Sequence, residues 1–598
     1  MRMDPTTTPA AFTAAPGSAG AARSYAVPLV VAVTGHRDLV AAEQPLIRQR
    51  VRDCLLGLRN DYPGRLMSVM SALAEGADQL VAQVALDLDM PLTVVLPMPR
   101  AVYEKDFPTA AALAEFERLC AAATDLFELP LAAGYDEIAV GTQGSGQRSR
   151  QYAAVGVFLC AHCHVLLALW DGKDNGQLGG TGQVVRFHHD DVMPDYAPPS
   201  GVSLHSLTDD ESDLVYHIVC SRDRPDGEPA PSLTPLASFW FTRDTDHPRT
   251  PTIPARHRRV LAHANEFSRE AQAFAGQIDR ERMSLAQAPG ADGLPPGLGD
   301  IDQAFCAADW LANRYQRRVR RVLKASHVCA WLVAVGYLTY NDLQSTPALI
   351  AIILLLMLTA VAVNLLAVRG AWHRKYLDYR TLAEGLRVQF YWAAAGVTSG
   401  DITKYAHDNC LQMRDVELGW IRNVMRVAGT ESDVAAHLAP DGLAFVTREW
   451  IGDPDRGQLG YYRRRSTQRA QETAATRRIG RIGITITMVA LIALLFTGPW
   501  LPATWRTPIV YSMGIVLLLV GVRRSYAQST AESELIRQYE FMYRIFRNAR
   551  RRIAAVSSDA ERRRILKLLG DSALEEHAEW ILIHRERAID EEEGMRLG

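Results

Sequence analysis

The sequence predicts a doubly wound, Rossmann-like α/β domain followed by an all-α membrane region with four transmembrane helices in two hairpins. Three observations carry this. Apolar runs suited to buried parallel strands alternate with helical stretches through the first 245 residues. Four long runs without Asp, Glu, Lys or Arg follow, at 325–340, 348–368, 482–500 and 507–522. Basic residues gather at one end of each of these runs.

In chain order, residues 1–26 are rich in Ala, Thr, Pro and Gly and lack a basic region followed by an apolar core. A disordered tail is expected there, not a secretory signal. A strand is expected at 27–34, then Gly35 and a helix over about 42–60. A strand at 66–72, a helix at 78–87, a strand at 92–96, a helix at 110–122 and a strand at 165–170 continue the alternation, so the α/β domain spans 27–245. Residues 246–324 read as a Pro-containing linker and a helical connector, interrupted by the Gly/Pro stretch 288–299.

A bilayer core of ~30 Å needs about 20 apolar residues per helix. The runs at 348–368 and 482–500 fit, and the shorter ones sit beside them across brief connections, giving hairpins at 325–368 and 482–522. Arg314, Arg317, Arg318, Arg320, Arg321 and Lys324 precede the first run, and Arg369, Arg374 and Lys375 follow the second. Arg477, Arg478 and Arg481 precede the third, and Arg523 and Arg524 follow the fourth, whereas the connections 341–347 and 501–506 hold one Arg between them. The expectation is a multi-pass protein of the inner (cytoplasmic) membrane with both termini and the segment 369–481 cytoplasmic. Tyr337, Tyr340, Trp500 and Trp505 fall at the opposite interface.

No Asp, Glu, Lys or Arg lies within the spans, which leaves an ion-coupled transporter without a coupling residue; Asn364, Thr485, Thr487 and Thr497 are the polar groups left for a passive path. Tyr376, Tyr379, Leu382, Leu386 and Phe390 form one stripe and Ile536, Tyr539, Tyr543 and Phe546 another, read as packing seams of a cytosolic bundle. The segment 523–598 continues as charged, amphipathic helices suited to docking on that bundle.

The formal net charge of −2 gives no global attraction to nucleic acid, and the Arg clusters read as topology signals and anionic-lipid contacts. Eight cysteines in 598 residues do not make a disulfide framework. Cys160, Cys163 and His164 spell the C-x-x-C-H string of c-type haem, with His188 and His189 nearby. Without export of that segment the string is expected to be structural, with no metal site and no cofactor.

Ligands of doubly wound sheets bind beyond the carboxyl ends of the strands, at helix N-termini. Four pieces fall on that edge: Gly35, His36 and Arg37 after the first strand; Ser71, Glu75, Gly76 and Asp78 after the second; Pro97 after the third; Asp171 with Gly179, Gly180, Thr181 and Gln183 after the last. Together they predict a pocket for a nucleotide or nucleotide-derived ligand, with glycines letting backbone approach phosphate. The glycine loop has no P-loop Lys, and the G-x-G-x-x-G spacing is absent.

The ordered set VAVTGHRDL, SALAEGADQLVAQVAL, LTVVLPMPRAVYEKDF and HVLLALWDGK with GGTGQVV resembles the SLOG superfamily of Rossmannoid nucleotide-binding domains, which includes the DNA-processing protein DprA and the LOG cytokinin-activating enzymes. Coupled to two-helix membrane units, the chain also resembles SLATT effectors of bacterial conflict loci; TRPM channels carry a related cytosolic domain. These resemblances imply a nucleotide sensor that drives pore formation or membrane disruption, as a homo-oligomer in bacterial antiviral defence. LOG enzymes use a Glu after their glycine loop to cleave an N-glycosidic bond, and the matching position here is Gln183. An amide cannot serve as general base, a role worth about 10²- to 10⁴-fold, so binding without turnover is expected and no catalytic residue is assigned. Glu75 and Asp78 leave open a membrane-anchored nucleotide hydrolase or phosphoribohydrolase; a non-catalytic membrane scaffold is the third reading.

Overall fold

The computed structural model describes residues 25–132, 134–197, 213–243, 248–291, 293–295, 297–397, 416–434, 441–530 and 532–596. The expected tail lies outside them except for Tyr25 and Ala26, as does the expected domain boundary at 245.

β1 (Leu29–Gly35), α1 (Gln44–Asp61), β2 (Met67–Ser71), α2 (Ala77–Asp87), β3 (Leu92–Leu96), α3 (Ala110–Ala122), β4 (Asp125–Glu128), α4 (Gly146–Ala161), β5 (Val165–Trp170) and α5 (Thr181–Asp190) make the alternating part. β6 (Val215–Val219), β7 (Ser238–Phe241) and β8 (Arg249–Thr250) complete one sheet of order β4-β3-β2-β1-β5-β6-β7-β8. The first six of these pair in parallel and β7 and β8 antiparallel. Side chains alternate across the strands: Val31 and Val33 join the core under α1, α2 and α3, while Val30 and Ala32 join the one under α4 and α5. Both faces are covered, which is why these strands read as unbroken apolar runs.

Four strands escaped the sequence reading. β4 is a half-exposed edge, β6 is a short parallel strand beside β5, and β7 and β8 form a short antiparallel extension beyond it. β8 falls in the stretch expected to be linker, so the sheet reaches Thr250.

The helical part is built from α6 (Ala255–Ala273), α7 (Leu298–Asp342), α8 (Pro347–Arg369), α9 (Trp372–Ala395), α10 (Gly419–Ala428), α11 (Gly457–Thr497), α12 (Ala503–Ser529), α13 (Glu532–Ala555) and α14 (Asp559–Arg596). Four of these, α7, α8, α11 and α12, are long and apolar enough to cross a membrane. The two runs that looked short are the apolar stretches of longer helices: α7 has 45 residues and α12 has 27. At ~1.5 Å per residue α7 is about 68 Å long, more than twice a bilayer core. Its N-terminal part, Leu298 to Tyr315, is buried in the helical core with Leu382, Leu386 and Phe390 of α9, Trp420 and Met425 of α10, Phe546 of α13, and Leu566, Leu569 and Ile581 of α14. Of the two stripes, Tyr379, Leu382, Leu386 and Phe390 lie in this core with Phe546, and Tyr376 and Tyr543 pack against it.

Arg374 and Lys375 do more than flank a span. Arg374 pairs with Glu266 and Asp378, and Lys375 with Glu266 (2.8 Å) and Glu270 (2.6 Å), binding α9 to α6. Asn364 is likewise an internal contact, donating to Ser326 Oγ (3.2 Å) and to Ala360 O (3.1 Å).

Candidate functional site

Between β1 and β5 the chain order of the sheet reverses, and a doubly wound fold places its ligand crevice beyond this switch point. The expected residues converge there, but much of their polar capacity is spent on one another. His36 Nε2 lies 3.1 Å from both the backbone N and Oδ1 of Asp171. One ring nitrogen serves one of these at a time: unprotonated it accepts the Asp171 N–H, and protonated it donates to the carboxylate. Lys173 N–H donates to the same Oδ1 (2.9 Å). Burial raises the Asp171 carboxyl, but these bonds hold it below the usual carboxylate range. Its other oxygen, Oδ2, is buried without a hydrogen-bond partner. So is Oε1 of Gln183, in the first turn of α5.

The glycines divide by role. A Cβ on Gly35 would stand 2.4 Å from Ala77 Cβ and 2.9 Å from Leu169 O, so Gly35 lets α2 lie against β1 and β5. This corrects the expectation that its bareness serves a phosphate. Gly76, at φ +84°, would meet Arg37 O at 2.3 Å, and Ala77 N–H donates to His36 O (3.0 Å), so the α2 entrance is closed by protein. Gly179, at φ +75°, rests on Tyr152 and Ala153 of α4. Gly180 caps α5, whose first turn carries Thr181 and has unsatisfied N–H groups of the kind that attract anions.

Ser71 Oγ accepts from Leu73 N–H (3.1 Å), holding Leu73 at φ +56°, a strained conformation for that side chain. Pro97 O accepts from Gln151 Nε2 (2.7 Å). Glu75 is exposed on the rim. Asp78 is buried; Ala74 N–H reaches its Oδ2 at 3.4 Å, and desolvation pushes its carboxyl up to about 7.

A second set of residues surrounds Arg37, and spacing gave no sign of it. Asp106 receives Arg148, Gln143 Nε2 (2.8 Å) and the Tyr152 hydroxyl, and Arg37 stands 3.5 Å away over the Tyr152 ring. Burial alone would raise the Asp106 carboxyl; these donors bring it below its ordinary range. The signal that could have found it is Arg148, a charge on the otherwise buried face of α4. Of this set, Arg37 keeps its side chain 47% exposed, which leaves a guanidinium available to an anion at the rim.

The β6–β7 connection covers the other side. Arg222 pairs with Asp38 (2.8 Å), Ser221 N–H and Oγ bind the Glu43 carboxylate, and Gly172 sits under Ala230 and Leu233. His36 and Asp171 are thereby shut from solvent.

The Cys/His string is structural. His164 Nδ1 accepts from Val30 N–H (3.1 Å) and Nε2 meets Arg65 (2.8 Å), while the thiols of Cys160 and Cys163 donate to Val184 O and Cys160 O. Among the described residues no three His, Cys, Asp or Glu side chains are grouped to hold a metal.

Several contacts join this domain to the helical core. Ser268 of α6 donates to Val27 O (3.1 Å), just before β1. From α10, Arg426 pairs with Asp213 (2.8 Å) ahead of β6, and its carbonyl meets His162 Nδ1 (2.7 Å) at the end of α4.

No family model, curated protein or solved structure matches the chain.

Proposed function

We propose that this protein is a membrane-bound sensor-effector: a nucleotide-derived anionic ligand binds at the rim formed by Arg37, Gly179, Gly180 and Thr181, and its binding drives pore formation or membrane disruption, in the manner of a bacterial antiviral effector. The observation that carries the reading is α7, a single helix buried at one end in the core that α6 and α10 tie to the α/β domain and apolar for a membrane's thickness at the other. A shift at the rim has an unbroken mechanical path to the bilayer. A ligand moves such an equilibrium from 1:99 to 99:1 when it favours the active state by ~5.5 kcal/mol.

The four spans pack principally in a row, α8 on α7, α7 on α12 and α12 on α11. An open row encloses no water path by itself, which supports a homo-oligomer. Both termini lie in the cytoplasm on this reading, and cysteines placed at Gln344 and Ala503 should react with an impermeant thiol reagent on intact cells.

The competing reading is a membrane-anchored nucleotide hydrolase. Asp78 favours it, because a buried carboxyl with its pKa near 7 suits acid-base work. Small molecules carried through purification and identified by mass spectrometry decide between the two. An intact nucleotide, together with depolarisation of cells expressing the full chain, supports sensing. A consumed nucleotide with flat membrane potential replaces the sensor with the enzyme.

A further inference from the structure

We infer that the cavity between α13 and α14 is a binding site for a small organic cation with an apolar body. The cavity has a volume of about 380 Å³ and lies just past the end of α12, outside the spans and far in sequence from the nucleotide rim. That is within the usual range of small-molecule sites, about 300–1,000 Å³.

Phe541 and Trp580 line the cavity together with Glu575, Glu576 and Glu579. Trp580 is fixed in place, edge-on to Tyr376 (6.0 Å) and stacked with His577 (5.1 Å). The three carboxylates share one face of α14, where like charges at this spacing repel. Among the lining residues Arg537 is the one base. Aromatic rings beside several carboxylates are the chemistry that recognises an ammonium group. A bare metal ion fits poorly, because no metal-holding group is formed among the described residues and the walls are apolar.

Among the described residues no Lys or Arg forms an ion pair with Glu576. Gln538 of α13 donates to its Oε1. Glu384 of α9 faces it but is committed to Arg380 and Arg387. Tyr462 of α11 is held neutral, by burial first and by Glu384 and Glu576 next. On its own helix stand Glu575, His577 and Glu579. Burial, with Glu384 and Glu579 adding to it, raises the Glu576 carboxyl to about 8. An arriving cation reverses that balance, so the carboxyl ionises and a proton leaves.

The test uses the full chain in lipid nanodiscs and benzyltrimethylammonium, whose charge does not titrate, followed by calorimetry. Saturable binding is expected, with the neutral isostere neopentylbenzene at least about tenfold weaker. Affinity should rise about tenfold per pH unit up to about pH 8, with nearly one proton released per cation near pH 7. Glu576→Gln should remove the pH slope while keeping the melting temperature, and Trp580→Leu should weaken the cation more than the isostere. Equal binding of the two probes, a pH slope that survives Glu576→Gln, or no binding at all overturns the inference. None of these results bears on nucleotide retention, so the two readings fail separately.

Discussion

The two hairpins present similar surfaces and are held very differently. Along α8 and α11 the large apolar side chains, among them Ile350, Leu354, Leu358, Ile484, Leu491 and Phe496, point outward into what we read as lipid. Below them the resemblance ends. Both of the first hairpin's ends on the side of the helical core are buried: α7 enters the core through Leu298 to Tyr315, and α9, which follows α8, is buried from Leu377 to Ala395 and clamped to α6 by Arg374 and Lys375. The second hairpin stands on α11, buried near its N-terminal end at Leu459 and Gly460, and on α13, which lays one face on the core through Met542, Phe546, Ala549 and Ile553. One hairpin is a root and the other leans on it. On the proposed reading, a signal carried by α6 and α10 reaches the first hairpin directly and the second through shared contacts.

The sharpest way to break this contrast is a matched pair of truncations. Leu386→Ala removes a side chain with no exposed surface in α9, and the helical core should lose about 2–5 kcal/mol. Ile536→Ala removes a half-buried one in α13 and should cost about 1 kcal/mol or less. Melting of the full chain in detergent, followed by tryptophan fluorescence, measures both. Equal losses would end the distinction between root and support.

Acid probes the seam that feeds the root. His162 is fully buried, and burial lowers its pKa from 6.5 to about 3. A base depressed in the folded state binds fewer protons there than when unfolded. Its contribution is therefore complete above pH 6.5 and drains away as pH falls toward 3. The loss should reach about 2 kcal/mol near pH 5. His162→Asn should flatten that part of the melting profile, and a mutant that keeps the wild-type slope removes His162 from the account.

Gly483→Ile acts on the second hairpin alone. A Cβ there would stand 2.6 Å from Val520 on α12, so the helices must part, at about 1–3 kcal/mol. Crosslinking between cysteines on α11 and α12 should weaken, while crosslinking between α7 and α8 stays as it was.

These distinctions were only partly legible in the sequence. Strands β1, β2, β3 and β5 and all four spans showed because an element covered on both faces, or by lipid, has to be an unbroken apolar run. β4 and β7 are too short and too exposed to leave such a trace. At the candidate site the glycine positions were visible and their jobs were not: Gly35 and Gly76 are bare because protein, not ligand, comes close. Asp106 lies within the quoted LTVVLPMPRAVYEKDF stretch, but it meets Arg148 and Tyr152 of α4 only through the tertiary fold, so spacing does not announce the set. Nor does anything in a row of apolar letters tell a rooted hairpin from a leaning one; that depends on which flanking helices find partners.

The smallest expected effect tests how the hairpins hear each other. Thr339 of α7 and Tyr511 of α12 share a hydrogen bond of 2.7 Å between their hydroxyls, within the apolar part of the row. Thr339 also donates to Val335 O one turn back (2.8 Å), so its proton has an alternative acceptor at home. Hydrogen bonds of this kind inside membranes average only ~0.6 kcal/mol by double-mutant cycle, because the separated groups find other partners. Thr339→Val and Tyr511→Phe, singly and together, should therefore couple by about that amount in stability. If the leaning hairpin is moved through this contact, the coupling should be larger when membrane depolarisation is the readout, since the bond would then differ between the resting and the active state. Equal coupling in both measurements would mean that the bond is a passive contact, and that motion passes between the hairpins through the packing of α7 against α12.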